Sequence, residues 1–306
     1  MAEHFTSASS PFRAGYVALI GKPNVGKSTL FNALVGQQLS IVTKKPQTTR
    51  HRILGISTSE RAQIIFLDTP GILEPKYRLH AAMMKSARLA MGDADIILWM
   101  IDMTAMHPQE DIRERIALDF LTELRKPVFL VINKIDLVPR ERILPVIAES
   151  SAAFPFREIF PVSALKCLGV DELRDTLVSI LPLHPPFYPP DIVTEQPERF
   201  FVSELIRARI FENLRDELPY STSVDILDFK EEAGKKDVIN AEIFVERESQ
   251  KGIVIGREGK ALKKIGQEAR KDIEAFLERP VFLELHVKVR EKWRQSDAWL
   301  KRLGYL

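Results

Sequence analysis

Residues 21–29 read GKPNVGKST, directly after the apolar run YVALIG (16–21) and directly before the helical pattern STLFNALVG. Gly21, Gly26, Lys27 and Ser28 satisfy the spacing G-x-x-x-x-G-K-[ST], and the strand-then-helix context separates this from an ordinary glycine turn. Glycines let backbone N–H groups wrap a diphosphate, while the helix N-terminus adds partial positive charge. Lys22, Pro23, Asn24, Val25 and Thr29 complete the loop. Lys27 is expected to reach the β- and γ-phosphates, and the Ser28 hydroxyl to ligate Mg²⁺. Such a junction confines the chain to an open α/β sheet whose ligands gather beyond the strand ends.

The rest of the first half agrees. Apolar runs at 62–71, 94–102, 127–136 and 158–165 alternate with helical patterns at 77–92, 109–125, 139–152 and 170–181. Continuous apolar strands separated by helices predict a mostly parallel sheet covered on both faces. Residues 1–14 read as a Ser-containing tail and 15–181 as this α/β P-loop domain.

Two further loops fall at strand ends and name the base. DTPG (68–71) puts Asp68 in the metal's second shell, with Thr69 and Pro70 leading to Gly71, whose N–H faces a γ-phosphate. NKID (133–136) supplies Asp136, a carboxylate that accepts from both the N1–H and the 2-amino group of guanine; adenine offers neither in that arrangement. Asn133 steadies the loop, the Lys134 stem covers the ring, and Ser163, Ala164 and Leu165 offer a backbone N–H to the guanine O6. The ligands expected are GTP or GDP with Mg²⁺. Between the first two loops, KPQTTRHRI (45–53) holds Thr48 and Thr49 as candidate metal ligands; Thr49 is expected because it precedes the arginine. Lys27, Thr49 and Gly71 form the expected catalytic set. The residue after DTPG is Ile72, which cannot hydrogen-bond an attacking water, so intrinsic hydrolysis is expected to be slow and stimulated by a partner or a cation. Asn24 either helps bind K⁺ for that purpose or only stabilises its turn.

LPLHPPFYPPDIVTEQPERF (181–200) holds six prolines and predicts an extended linker over 182–198 rather than a packed element. Beyond it, 199–306 reads helix, strand, strand, helix, loop, helix, strand and a Trp-containing tail. Phe201, Leu205, Ile206, Ile210, Phe211 and Leu214 form one helical stripe in its first helix. Within this module, GREG (256–259) lacks the Lys-Ser ending of a mononucleotide loop. It fits the G-x-x-G turn of a KH module, which clamps a single-stranded RNA backbone. The expected contacts are Lys251, Gly256, Arg257, Glu258, Gly259, Lys260, Lys263 and Lys264, with Ile253, Val254 and Ile255 as an apolar floor and Arg290, Lys292 and Arg294 as possible additions. Residues 251–271 carry seven Lys or Arg against two Glu, whereas 191–306 is nearly neutral, with 23 acids and 22 bases. A focused strip on a neutral module suits one directed groove rather than general adhesion.

The whole chain of 306 residues has a net charge of only +2, so composition alone argues for no nucleic acid. Its single cysteine, Cys167, forms no internal disulfide, which fits a reducing cytosol, and is expected as a small apolar filler. Apolar runs long enough to span a bilayer are missing, and the first residues lack a secretory pattern.

In combination, PQTTRHR, DTPGILEPKYRLH and VIGREGKALKKIG resemble the Era-like GTPases, within the TrmE-Era-EngA-like superfamily. The resemblance covers nearly all of the chain beyond the first dozen residues. It implies a P-loop GTPase domain followed by a type II KH domain, binding near the 3′ end of the small-subunit rRNA, and a role in maturation of the small ribosomal subunit. It further implies a cytoplasmic protein with partial association at the inner membrane surface, expected to be monomeric. An RNA-binding adaptor with a dead G domain is opposed by Lys27, Ser28, Asp68 and Asp136. A GTPase component of an RNA-modification system lacks any Cys/His cluster or cofactor motif in the second domain.

Overall fold

The computed structural model describes residues 12–105, 121, 125–231 and 235–306. Apart from 121 and 125, the helix expected over 109–125 lies outside the described residues, as do residues 1–11.

Strands β1 (Arg13–Gly21), β2 (Ile53–Thr58), β3 (Ala62–Asp68), β4 (Ile96–Asp102), β5 (Val128–Asn133) and β6 (Ile159–Pro161) form one sheet in the order β2-β3-β1-β4-β5-β6. All pairings are parallel except β2 with β3. β1 begins at Arg13, so the tail expected over 1–14 ends earlier; Arg13 and Ala14 already pair with Ala62 and Gln63. Helices α1 (Lys27–Val35), α2 (Arg78–Asp93), α3 (Ile143–Ala153) and α4 (Val170–Ile180) cover the sheet. Two apolar layers result, one around Phe31, Phe66 and Phe129 and the other around Trp99, Ile65 and Leu130. This two-sided burial accounts for the unbroken apolar runs of the central strands.

The second module begins with α5 (Glu198–Asn213) and α6 (Leu218–Ser221), then β7 (Ser223–Lys230), β8 (Asp237–Val245), α7 (Glu248–Ile255), α8 (Lys260–Leu277), β9 (Val281–Val289) and α9 (Asp297–Arg302). β7 and β8 are antiparallel and β8 and β9 parallel, in the order β7-β8-β9. In α8, Ile265, Ala269, Ile273 and Leu277 recur every fourth residue and are buried, leaving the lysines outside. The stripe expected along α5 serves two cores. Val202, Ile206 and Ile210 pack on the second sheet, while Phe201 joins the first domain's core beside Leu177 and Leu181. No helix among the described residues is long and apolar enough to cross a membrane.

The proline-rich segment, expected as an extended linker, lies against the first domain. It is extended but tied down along the first domain. Val193 O accepts from Ile56 N at 2.8 Å, Pro182 O from Ala14 N at 3.1 Å, and the Thr194 hydroxyl donates to Leu54 O at 2.7 Å. Gln63, fully buried in β3, accepts from the N–H groups of Phe187 (2.7 Å) and Tyr188 (3.0 Å) and donates to Tyr188 O (2.8 Å). Prolines fix an extended backbone, and one buried amide fixes where it lies. Gln63→Leu strands those backbone groups at about 1–3 kcal/mol each. The expected result is a lower Tm and faster limited proteolysis within 182–197, read by mass spectrometry.

Candidate nucleotide site and nucleic-acid interface

β1, β3 and β5 deliver their C-terminal loops to one cavity of about 410 Å³. Its wall includes Pro23, Asn24, Gly26 to Thr29, Thr48, Thr49, Gly71, Asn133, Lys134, Asp136, Ser163 and Leu165, so all three expected loops converge. Gly26 has φ +98° and leaves no room for a side chain, since a Cβ would lie 2.1 Å from the Asn133 amide nitrogen. Gly71 is equally confined, its Cβ position falling 2.7 Å from Pro23 N. Asn133 Nδ2 donates to Val25 O at 2.8 Å, and its Oδ1 accepts from Ala164 N at 3.0 Å. One side chain therefore joins the phosphate loop to the 163–165 loop. Thr69 anchors its own loop by donating to Leu19 O at 2.7 Å.

Lys27 is buried and donates to Gly21 O at 3.1 Å and Lys22 O at 3.0 Å. Burial pushes its pKa down to about 8, only partly opposed by Asp68. Ser28 Oγ lies 2.8 Å from Thr49 Oγ1 and donates to Asp68 Oδ2 at 2.7 Å, an oxygen that also accepts from Ser40 at 2.7 Å. Burial raises the Asp68 pKa, with the Ser28 and Ser40 hydroxyls pulling it back. Its Oδ1 is buried without a partner. Two hydroxyls and an under-satisfied carboxylate oxygen at one point are hard oxygen donors, and they fit Mg²⁺. Thr48 is engaged elsewhere: its hydroxyl donates to Lys45 O at 2.9 Å and lies 2.6 Å from Thr43 Oγ1. Thr49 is the threonine that meets Ser28.

At the base-reading end, the Ser163 hydrogen bond holds the Asp136 carboxyl below its ordinary range despite burial, with Lys166 Nζ 3.5 Å away. Lys134 sits at φ +66° with Nζ paired to Asp102. Asn24, also left-handed at φ +65°, donates to Lys44 O at 3.4 Å. Cys167, expected as an apolar filler, is exposed beside this loop at φ +53°.

In the second module, Gly256 (φ +72°) and Gly259 (φ +73°) bracket Arg257 and a left-handed Glu258. A Cβ on Gly256 would approach the Ala261 Cβ to 2.6 Å, so the helix-to-helix turn closes only on glycine. Arg257, Lys260, Lys263 and Lys264 are exposed along the start of α8, and Lys251 is half-buried on α7. Lys260 pairs with Glu258 at 2.8 Å and Lys264 lies 3.8 Å from Glu268, both in solvent. The floor expected from 253–255 is split by its helical geometry. Val254 is buried in the core, Ile253 is exposed and Ile255 lies between. Arg290 and Arg294 are not free for phosphate; they pair with Glu242 and Glu246 and lie over aromatic rings.

The two modules also meet at contacts that sequence reasoning missed. The 45–51 segment reaches the second module through Lys45, Arg50 and His51. Arg50 donates to Thr222 O at 2.7 Å, and the His51 ring stacks on Tyr305 at 4.2 Å. The segment after DTPG and α2 contribute Ile72, Tyr77, Leu79, Met83 and Met84 to a cluster with Trp293, Leu300 and Leu303. Trp293 is fully buried there and donates to Ser221 O at 2.9 Å, so it stacks on no base.

Residues 16–134 match the family described as 50S ribosome-binding GTPase, and 217–294 match the KH domain. GTPase Era of Geotalea uraniireducens is 47% identical over 96% of this chain and 98% of its own length. GTPase ERA1, chloroplastic, of Zea mays is 46% identical over 98% of this chain and 72% of its own. A crystal structure of an Aquifex aeolicus Era variant bound to GDP and AlF4⁻ superposes with a TM-score of 0.90, at 44% identity, covering 96% of this chain and 99% of that one. Era in complex with MgGDPNP and nucleotides 1506–1542 of 16S ribosomal RNA gives 0.91 at the same identity and coverage.

Fold and site together define a P-loop GTPase joined to a type II KH module. The chain belongs to the Era family of GTPases.

The depressed Lys27 pKa has a measurable consequence. With its pKa lowered to about 8, Lys27 without a ligand loses its proton as pH rises through that value, and an adjacent polyphosphate favours the charged form. Nucleotide binding at pH 9 is therefore expected to take up a proton, and affinity to fall as pH rises past 8. Calorimetry in buffers of different ionisation enthalpy checks this, with Lys27→Met abolishing the uptake.

Proposed function

We propose that this chain is a nucleotide-controlled reader of single-stranded rRNA that acts in maturation of the small ribosomal subunit. Lys27 and the loop amides hold the β- and γ-phosphates, and Asp136 reads guanine. Ser28 and Thr49 ligate Mg²⁺, and Asp68 orients the metal's water through its unpartnered oxygen. Mg²⁺, when bound, neutralises charge on the β- and γ-oxygens. Gly71 presents its N–H to the γ-phosphate. Ile72 offers the attacking water no hydrogen bond, so turnover is slow without a stimulating group. The turn at 256–259, with Lys251, Ile253, Ile255, Lys260, Lys263 and Lys264, clamps the RNA backbone. The relative crystallised with nucleotides 1506–1542 of 16S rRNA supports placing this chain at the 3′ end of small-subunit rRNA; its proposed place is the cytoplasm, in part at the inner membrane surface.

The observation that carries the control is direct contact. Residues 45–51 and 72–84, which flank the γ-phosphate position, are bonded to and packed on the KH module. An ordered–disordered change in these segments is felt there without passing through the linker. A ligand shifts such an equilibrium only by its differential affinity for the two states. RNA is therefore expected to bind several-fold tighter in the presence of a GTP analogue than of GDP, measured by fluorescence anisotropy with a 3′-end 16S oligonucleotide; equal affinities would sink the reading. Arg257→Glu with Lys260→Glu is expected to weaken RNA binding at least tenfold and to flatten its salt dependence, while leaving nucleotide affinity unchanged.

Asn24 is the proposed K⁺-facing residue of the phosphate loop, supplying through the ion the positive charge that Ile72 cannot. Single-turnover hydrolysis is expected to be faster in KCl than in NaCl, with Asn24→Ala removing the difference. Identical rates in the two salts would discard the ion.

A further inference from the structure

Between Lys45 and Arg50 the chain is gripped from the KH side at three points. Lys45 Nζ donates to the carbonyls of Phe211 and Leu214 at the C-terminal end of α5, where a cation satisfies unpaired acceptors and meets the negative end of the helix dipole. Arg50 donates to Thr222 O at 2.7 Å, Pro219 O at 3.0 Å and Tyr220 O at 3.2 Å. From the opposite direction, Arg207 on α5 donates to Thr48 O at 2.5 Å. The residue left in the middle is Thr49, with its hydroxyl 2.8 Å from Ser28.

The Thr48 carbonyl and the Thr49 nitrogen belong to one rigid peptide plane. A donor that fixes this carbonyl therefore sets the direction from which the Thr49 side chain leaves. Arg207 is suited to that task because it cannot swivel: Glu204 holds its Nε at 2.8 Å and also its Nη2. Both residues are at most 4% exposed. Burial alone would raise the Glu204 pKa, but the Arg207 charge outweighs it and holds the carboxyl below its ordinary range.

We propose that Arg207, oriented by Glu204, is a positioning residue for the GTPase reaction. From outside the nucleotide domain it sets the Thr48–Thr49 peptide so that the Thr49 hydroxyl faces the metal site, with Lys45 and Arg50 holding the strap on either side. The inference rests on the assignment of Thr49 to the metal in the proposed function. It makes the KH module part of the GTP-selective half of the site. GDP, which lacks the γ-phosphate, has no use for this arrangement.

The test uses the full chain as Arg207→Met/Glu204→Gln, which removes the fork without stranding a buried carboxylate, alongside Arg207→Lys, Lys45→Met and Thr49→Ala. Affinity for a non-hydrolysable GTP analogue is titrated against Mg²⁺ concentration, and GDP affinity is measured in parallel. The double variant is expected to lose about tenfold in GTP-analogue affinity and to need more Mg²⁺, the scale of one charged hydrogen bond, with GDP affinity within about twofold. Arg207→Lys, lacking the planar fork, recovers only part, and Lys45→Met shifts the same ratio by a smaller factor. A merely structural role would lower both affinities together and leave their ratio and the Mg²⁺ requirement in place; that result overturns the proposal. If the double variant does not fold, an unchanged ratio in Lys45→Met overturns it instead. If Thr49→Ala changes neither quantity, the assignment of Thr49 falls and takes this inference with it.

Discussion

A guanidinium can be buried only where acceptors surround it, and two buried guanidinium groups decide how this molecule is assembled. Arg50 and Arg207 approach the Phe211 ring to 5.6 and 5.3 Å. Arg50 donates to three backbone carbonyls, and Arg207 to the Thr48 carbonyl and to Glu204. Those of Pro219, Tyr220 and Thr222 lie in and just beyond the short α6. Removing a partner from a buried charge costs several kcal/mol, so these bonds favour the observed placement of the two modules. The proline-rich segment is itself held on the first domain by Gln63 and Val193.

The nucleotide-side segments meet the KH module through contacts of two kinds. Residues 45–50 use directional hydrogen bonds, whose strength drops within a few tenths of an ångström and a few tens of degrees. The segment from Ile72 to Met84 uses mainly an apolar cluster with Trp293 and Leu300, with a solvent-exposed Arg78–Asp297 ion pair at its rim, and apolar contact is non-directional. A small rotation of the Thr48–Thr49 peptide therefore breaks the first contact before it loosens the second. The arrangement suits a switch that changes its hold on the KH module without releasing it.

Much of this was legible in the sequence. The central strands are continuous apolar runs because both faces are covered, and the loop motifs have fixed spacing because backbone geometry at a phosphate allows little else. β2 went unread: at six residues with Gly55 inside, it is a short antiparallel edge strand with a weak pattern. The prolines make the extended backbone of 182–198 legible, but not where it lies. Its only signal was Gln63, a polar residue inside the apolar run AQIIFLD. Residues 253–255 are three β-branched residues, which favour strand, yet they end a helix whose start is held by Gln250 Oε1 accepting from Glu246 N and Arg247 N. Lys45, Arg50 and Arg207 were illegible for a different reason. Their partners across the modules are carbonyls, which any residue carries, so no complementary residue marks the contact.

The two glycine loops show what separates a site for a free nucleotide from one for a polymer. Lys27 is enclosed and partly stripped of water, so its charge is focused on a ligand that enters the cavity whole. Around the second loop, arginines elsewhere on the module are spent on ion pairs: Arg209 with Asp272, Arg279 with Asp237, Arg290 with Glu242 and Arg294 with Glu246. Arg257, Lys260, Lys263 and Lys264 instead stand in solvent along one helix start. A chain that passes through cannot be enclosed, and its phosphates displace counterions rather than a shell of protein dipoles. The near-neutral charge of the module and the local excess at 251–271 are thus one fact. Ion pairs offset much of the charge elsewhere on the module, while the strip at 251–271 keeps an excess of base.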